Sequence, residues 1–307
     1  MSTIKKSPAY FIVGFIICFA GAICFSTKAI FVKLAYRETD VDAVTLLALR
    51  MIFALPFFVI SAFVSSKKSD NVKFTRAQWI KIALIGCLGY YISSLLDFLG
   101  LQYVTAGIER LILFVYPTMV LLISALIFKQ KIKPVQWLAV FITYAGLIIA
   151  FYGEVDLSTT QSKNFYLGAI LIFTCAITYA MYIVGSGRLI PQVGSAKFNS
   201  YAMSFACIGV LIHYFFNNTQ SLFNLDAQIY SYSLLMAVLS TVIPSYLVAE
   251  GIKRIGSDNA AIVGSVGPVS TIIQAYFFLQ EPIFALQIVG TILILFGVLL
   301  IGKKGNN

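Results

Sequence analysis

The run Ile283–Ile301, IFALQIVGTILILFGVLLI, contains no charged residue, and Gln287 and Thr291 are its only hydrogen-bonding side chains. As a helix rising 1.5 Å per residue it would cover about 28 Å, close to the hydrocarbon thickness of a bilayer. A membrane-spanning strand would alternate polar and apolar residues over segments of about ten, and this run does not alternate. Runs of the same kind recur along the whole chain of 307 residues. It is 60% apolar and only 11% charged, with a mean hydropathy of +0.91. That is more apolar surface than one soluble core can hide.

Reading every such run gives ten helices: 10–34, 42–65, 77–102, 105–128, 134–152, 165–187, 197–217, 229–252, 258–280 and 283–302. The fold class is therefore an all-α integral membrane protein with ten transmembrane helices. The basic residues test that count, because cytoplasmic loops collect Lys and Arg. One side gathers Lys5, Lys6, Lys67, Lys68, Lys73, Arg76, Lys129, Lys131, Lys133, Arg188, Lys197, Lys253, Arg254, Lys303 and Lys304. The other has Arg37 and Lys163. Both termini are thus expected in the cytoplasm, and the N-terminal apolar stretch is expected to be a retained first helix, since it has no cleavage pattern. The net charge of +10 then serves to anchor the chain to acidic lipid. Membrane lipid is the expected partner, nucleic acid is not, and a homodimer is left open.

Residues 151 positions apart match without gaps from the third helix to the fifth and from the eighth to the tenth. Ser94 falls on Ser245, Gly100 on Gly251, Pro117 on Pro268, Gln136 on Gln287, Gly146 on Gly297, and Gln130 on Glu281. Helix breakers and amides are not what two unrelated apolar helices share by composition, so the pattern reads as a duplication. Five helices is an odd number, so the second copy must enter the membrane from the opposite face. The expected organisation is two inverted five-helix repeats, residues 1–153 and 164–307, an arrangement that recurs in transporters.

With Phe25-Ser26 to Lys33, Arg50, Pro117, Gln136 and Gly146 in the first half and Pro268, Glu281, Gln287 and Gly297 in the second, the chain resembles the EamA family of the drug/metabolite transporter superfamily over nearly its whole length. The resemblance implies secondary transport of a small organic solute by alternating access, with export ahead of uptake. It also implies a multi-pass plasma membrane location, here a bacterial inner membrane, and a central cavity lined by helices including one, three, four, six, eight and nine. Three positions depart from the family pattern: Lys28, where a small or amide residue is common; Glu109-Arg110, where small residues are usual and the second half has Ala260-Ala261; and Gln130, where glutamate is frequent.

Lys28, Arg50, Asp97, Glu109, Arg110 and Glu250 fall inside the apolar segments. Left unpaired at mid-bilayer, each would cost about 2.5–3.5 kcal/mol. The six together would exceed the roughly 5–15 kcal/mol that holds an ordinary fold together. They must therefore be paired, hydrated or near an interface. Arg50 lies about 12 Å below the outer end of its helix at 1.5 Å per residue. Lys28, Asp97, Glu109 and Arg110 lie nearer that surface, and Glu250 reads as an interfacial pair with Lys253 and Arg254. The outer five are expected either to bind an anionic group or close the outer side, or to form a structural salt-bridge network. Asp97 and Glu109 are the candidates for proton coupling.

Tyr90, Ser94 and Asp97 share one helix face, as do Thr178, Tyr182 and Ser186. Together with Tyr116 they complete the expected cavity surface. Pro117 and the segment Gly264 to Pro268, with Gly267 and Pro268, are read as helix breaks that act as hinges, as ion contacts or as rigid kinks. His213, toward the outer end of its helix, is read as a packed or interfacial side chain and not as a ligand. The five cysteines show no metal or redox spacing, and no metal or cofactor is implied. A small-molecule substrate is expected, with an amino acid or related carboxylate favoured by Lys28 and Arg50. An intramembrane enzyme would need a nucleophile and base or a metal cluster, which one histidine and no acidic motif do not supply. A noncatalytic membrane sensor or assembly protein is the remaining alternative.

Overall fold

The computed structural model describes residues 8–67, 73–129, 132, 134–158, 164–217, 220–264 and 266–303. Among them there is no strand. Eight helices are long and apolar enough to cross a bilayer. In the numbering used below these are α1 (Pro8–Glu38), α2 (Ala43–Ser66), α3 (Arg76–Gly100), α4 (Ala106–Ile127), α6 (Phe165–Val193), α7 (Ser195–Asn217), α8 (Ala227–Ile255) and α9 (Asn259–Leu279). Two further helices, α5 (Pro134–Ser158) and α10 (Ala285–Lys303), have shorter apolar stretches, Trp137–Ala150 and Ala285–Gly297. Lys5, Lys6, Lys68, Gln130, Lys131, Lys133, Lys163 and Lys304 lie outside the described residues, as do the side chains of Gln136 and Lys303.

The distribution of side chains is that of a protein whose solvent is lipid. Phe216 is 84% exposed and Leu126 79%, whereas Arg50 and Asp97 are 1% and 0% exposed. Large apolar side chains on the outside cost nothing against hydrocarbon, while buried charges must find partners within the bundle.

Local sequence explains the helix ends. The Asp42 carboxylate accepts hydrogen bonds from the Val44 and Thr45 amides at the start of α2, both at 2.9 Å. Thr75 opens α3 with a capping box closed by Gln78. Helix α6 runs six residues beyond its expected end, through Pro191 to Val193. It stops at Gly194, whose φ of 85° suits glycine and turns the chain directly into α7.

The expected helix breaks are displaced from the prolines themselves. In α4 the helix is interrupted at Phe114–Val115 and resumes at Tyr116, which puts Pro117 in the first turn of the resuming segment. In α9 the first segment ends at Val263 and the second begins at Val266, so Gly267 and Pro268 are its second and third residues. Proline has no N–H to give and its ring collides with the carbonyl four residues back, so the irregularity falls ahead of it. In the first turn of a helix neither defect matters.

Three other local features repeat at the 151-residue spacing. Helix α3 widens into a π-helical turn over Cys87–Ile92, and α8 does so over Val238–Val242. Lys129 and Gln280, which end α4 and α9, both have left-handed backbones, with φ of 51° and 58°. At the α5–α10 contact, a methyl added to Gly146 would come within 2.7 Å of the Gly290 carbonyl oxygen, and one added to Gly297 within 2.8 Å of the Ala139 oxygen.

That contact makes a direct prediction. A Cβ at Gly290 would lie 2.5 Å from both the Ala150 Cβ and the Gly146 oxygen. Gly290→Val is therefore expected to lower stability by about 1–3 kcal/mol through overpacking. Ile292→Val, at a position that is 59% exposed, should change it little. Thermal unfolding in detergent compares the two, and equal midpoints would refute the close α5–α10 packing.

Candidate functional site

Helices α1, α2, α3, α4, α6, α8 and α9 enclose a cavity of about 90 Å³. This is small beside the roughly 300–1,000 Å³ of ordinary small-molecule sites. Of the side chains expected there, Lys28, Arg50, Tyr90, Ser94, Asp97, Arg110 and Tyr116 do line it, and so does Gly267. Glu109 does not, although it is joined to the cavity wall by ion pairs. Pro117, Pro268 and Tyr182 do not line it either.

Lys28 is the centre of the charge cluster. Its Nζ lies 2.6 Å from Asp97 Oδ2 and 3.4 Å from Glu109 Oε1. Arg110 Nε stands 4.0 Å from Glu109 Oε2. Arg110 also donates from Nε to the Thr271 hydroxyl at 2.8 Å and from Nη2 to the Phe25 carbonyl at 3.0 Å, tying α4 to both α1 and α9. The Glu109-Arg110 dipeptide is adjacent in sequence yet serves two partners, because consecutive helical side chains diverge by about 100°.

Arg50 is bound differently. Its Nε donates to the Thr241 hydroxyl at 2.6 Å, and its guanidinium carbon sits 5.4 Å from the centre of the Phe98 ring. Its Nη1 is buried with no hydrogen-bond partner. Among the described residues no carboxylate forms an ion pair with it. With both carboxylates ionised, the three cations of the site exceed its two anions by one.

Aromatic rings form much of the remaining wall. Tyr116 donates its hydroxyl to the Ala261 carbonyl at 3.0 Å and packs edge-on against Tyr179, 5.2 Å between centres. On α6 the face presented to the cavity is Cys175, Tyr179 and Ile183, which corrects the expected stripe of Thr178, Tyr182 and Ser186. Thr178 and Ser186 return their hydroxyls to their own backbone, at Cys175 and Ile183. Polarity alone therefore did not mark the facing side. Tyr182 stands one layer behind, with its ring 4.9 Å from Tyr90 and 5.8 Å from Tyr179.

Outside the cavity, Glu250 accepts from Ser195 at 2.6 Å and from Arg254 at 2.8 Å, with Lys253 at 3.5 Å. This is the pairing its neighbours suggested. His213 Nδ1 meets the Tyr91 hydroxyl at 2.8 Å, as a packed side chain should.

The sequence marks Lys33 and Glu281 as parts of the family pattern without giving either a role, and it does not single out Thr241 or Thr271. Lys33 donates to the Leu101 and Val104 carbonyls at 3.0 and 2.8 Å. Glu281 accepts from the Ala106 and Gly107 amides at 3.1 and 3.2 Å, placing a carboxylate on the positive end of α4. Thr241 and Thr271, which hold the two buried arginines, carry no distinguishing local pattern. Only the position of Thr241 within a π-turn, and of Thr271 in the helix segment that follows a break, separates them from other threonines.

A family model for the EamA-like transporter family matches residues 12–152 and again 166–303. The chain is 32% identical over 298 residues to the uncharacterized transporter YcbK of Bacillus subtilis, covering 94% of this chain and 91% of that one. It is 24% identical over 248 residues to the uncharacterized transporter YyaM of the same organism, covering 80% and 79%. A solved crystal structure aligns with a TM-score of 0.68 at 15% identity, over 94% of this chain and 97% of that one, which shows a shared fold. The buried charges thus lie in the bundle of a multi-pass membrane transporter, and the chain belongs to the EamA-like transporter family.

Proposed function

We propose that this protein is a secondary active carrier of a small carboxylate with an apolar body, an amino acid or a related acid, and that it works by alternating access. The observation that carries this reading is Arg50, a buried guanidinium on the cavity wall whose Nη1 has no hydrogen-bond partner and which pairs with no carboxylate among the described residues. A buried cation without a counter-ion is costly, and a substrate carboxylate would neutralise the single excess charge. The cavity also has two different ends. Asp97, Glu109 and Arg110 have as counterparts, 151 residues on, Val248, Ala260 and Ala261, which line the same cavity. In the proposed orientation the charged group of the substrate faces the outer half and its apolar part the inner half. Release outward fits the family likeness.

The proposed architecture is ten spans in two inverted repeats, 1–153 and 164–307, with both termini in the cytoplasm of a bacterial cell. Three reciprocal features support it: the paired π-turns, the paired left-handed caps, and the α5–α10 contact, in which Gly146 faces Gly290 while their counterparts Gly297 and Ala139 face each other. The first helices of each half add a fourth. A Cβ at Gly14 of α1 would meet Arg254 and Ile255, and one at Gly168 of α6 would meet Tyr103 and Val104, which are 151 residues earlier. Two similar halves of opposite orientation can exchange conformations and so expose a central site to either side.

Asp97 and Glu109 share one ammonium, so a proton on either leaves Lys28 still paired. That arrangement supports proton coupling through the two carboxylates.

In proteoliposomes screened with labelled small carboxylates, Arg50→Gln should raise the half-saturating concentration at least about tenfold, as loss of a charged hydrogen bond does. Asp97→Asn and Glu109→Gln should uncouple flux from a pH gradient. A gradient response that survives in both variants would exclude the proton role, and unchanged affinity in Arg50→Gln would exclude the anion site. Lys28→Met leaves two buried carboxylates without their shared cation. It should cost about 3–5 kcal/mol, partly restored by adding Asp97→Asn, and thermal unfolding of the three proteins decides it. An undiminished midpoint for Lys28→Met would show that the cluster does not depend on that ammonium.

A further inference from the structure

We infer that the π-turn of α8 is the positioning element of the anion site and that Thr241 is the residue through which it acts. The inference rests on the reading of Arg50 as the contact for a substrate carboxylate.

A threonine hydroxyl has one proton to donate and lone pairs to accept with. The Thr241 proton goes to the Met236 carbonyl, 2.8 Å away and five residues back. That leaves the oxygen as acceptor for Arg50 Nε at 2.6 Å. Thr241 is completely buried, so water does not compete for that bond. The hydroxyl therefore holds the guanidinium by its inner nitrogen. The Phe98 ring supports the guanidinium as well, and Arg50 stands on the cavity wall with its buried Nη1 lacking a hydrogen-bond partner.

The π-turn makes this geometry available. An extra residue in one turn rotates the helix that follows it and places side chains where a regular α-helix would not, which is why such turns occur at functional positions. Here it presents two adjacent hydroxyls to two different helices of the other half. Ser240 meets Thr27 of α1 at 2.6 Å, and Thr241 meets Arg50 of α2. The equivalent π-turn in α3 carries Gly89 and Tyr90 at the corresponding positions, both on the cavity wall. One π-turn thus supplies cavity surface, and the other orients the cation that faces it.

Two measurements on purified protein in nanodiscs test this, using Thr241→Val, which keeps shape and removes the hydroxyl, and Thr241→Ser, which keeps the hydroxyl. The first follows the Arg50 Nε–H by ¹⁵N NMR, assigned by its loss in Arg50→Lys. A protected signal is expected in the wild type and in Thr241→Ser, with shifted frequency and faster solvent exchange in Thr241→Val. The second compares thermal stabilisation by acetate with that by the neutral isostere acetamide. Wild type and Thr241→Ser should prefer acetate, and Thr241→Val should need about tenfold more of it for half-effect, in keeping with the loss of a hydrogen bond to a charged group. Thr241→Ala replaces the valine variant if that does not fold. An unchanged Nε–H in the variant without the hydroxyl would overturn the positioning role. A wild type indifferent to acetate over acetamide would instead remove the anion site on which the inference depends. An acetate preference that survives loss of the hydroxyl would leave Arg50 as the anion contact and reject Thr241 as its determinant.

Discussion

A charge in hydrocarbon must be neutralised from within the protein, and here one ammonium group meets most of that demand. Lys28 extends from α1 to a carboxylate on α3 and another on α4. Its presence allows Asp97 and Glu109 to be fully buried. Arg110, beside Glu109, carries the connection onward to α9 through Thr271 and back to α1 through Phe25. Four helices from both halves of the chain are held by this one cluster, and their mutual position defines the cavity. Replacing such a network by apolar groups would often stabilise a protein. Keeping it in the membrane, where it costs most, is the physical argument for the transport role proposed for it.

In the proposed two-repeat architecture the halves contribute unequally to the site although several backbone features recur between them. Where the first half places Asp97, Glu109 and Arg110, the second has Val248, Ala260 and Ala261. Reciprocal glycine contacts and the π-turns of α3 and α8 recur at the same spacing. The chemistry is not symmetric, since the cavity lining includes Asp97 and Arg110 from one half and Val248, Ala260 and Ala261 from the other. Recurrence of the backbone features suits an exchange between two conformations. The unequal linings suit a ligand that carries charge on one side only.

The apolar segments and the candidate charges were legible in the sequence because both are extreme signals. Ile283–Ile301 cannot be a surface helix, and an arginine eight residues into an apolar run, as Arg50 is, stands out from its neighbours. Glycine and proline spacing disclosed the 151-residue correspondence for the same reason. What stayed hidden depends on rotation and on distance across the bundle. Tyr179 and Tyr182 are three residues apart on α6, yet one faces the cavity and the other packs behind it. Choosing between them requires knowing how the helix is turned. Lys33 read as part of a segment closing the first helix, and only the fold brings it to the carbonyls of Leu101 and Val104. Glu281 caps a helix 175 residues earlier in the chain, and no local pattern announces that. Prolines marked the helix breaks to within a turn, because the distortion falls ahead of the ring that causes it.

The central claim is that the buried cluster belongs to a site reached from each side of the membrane in turn. Cys175, on the cavity face of α6, reports on this directly once the other four cysteines are replaced. Its alkylation by a membrane-impermeant maleimide should be measured in right-side-out and in inside-out vesicles. The account predicts labelling from both sides, slowed in both by a transported carboxylate. Labelling from one side only, or from neither, would contradict it.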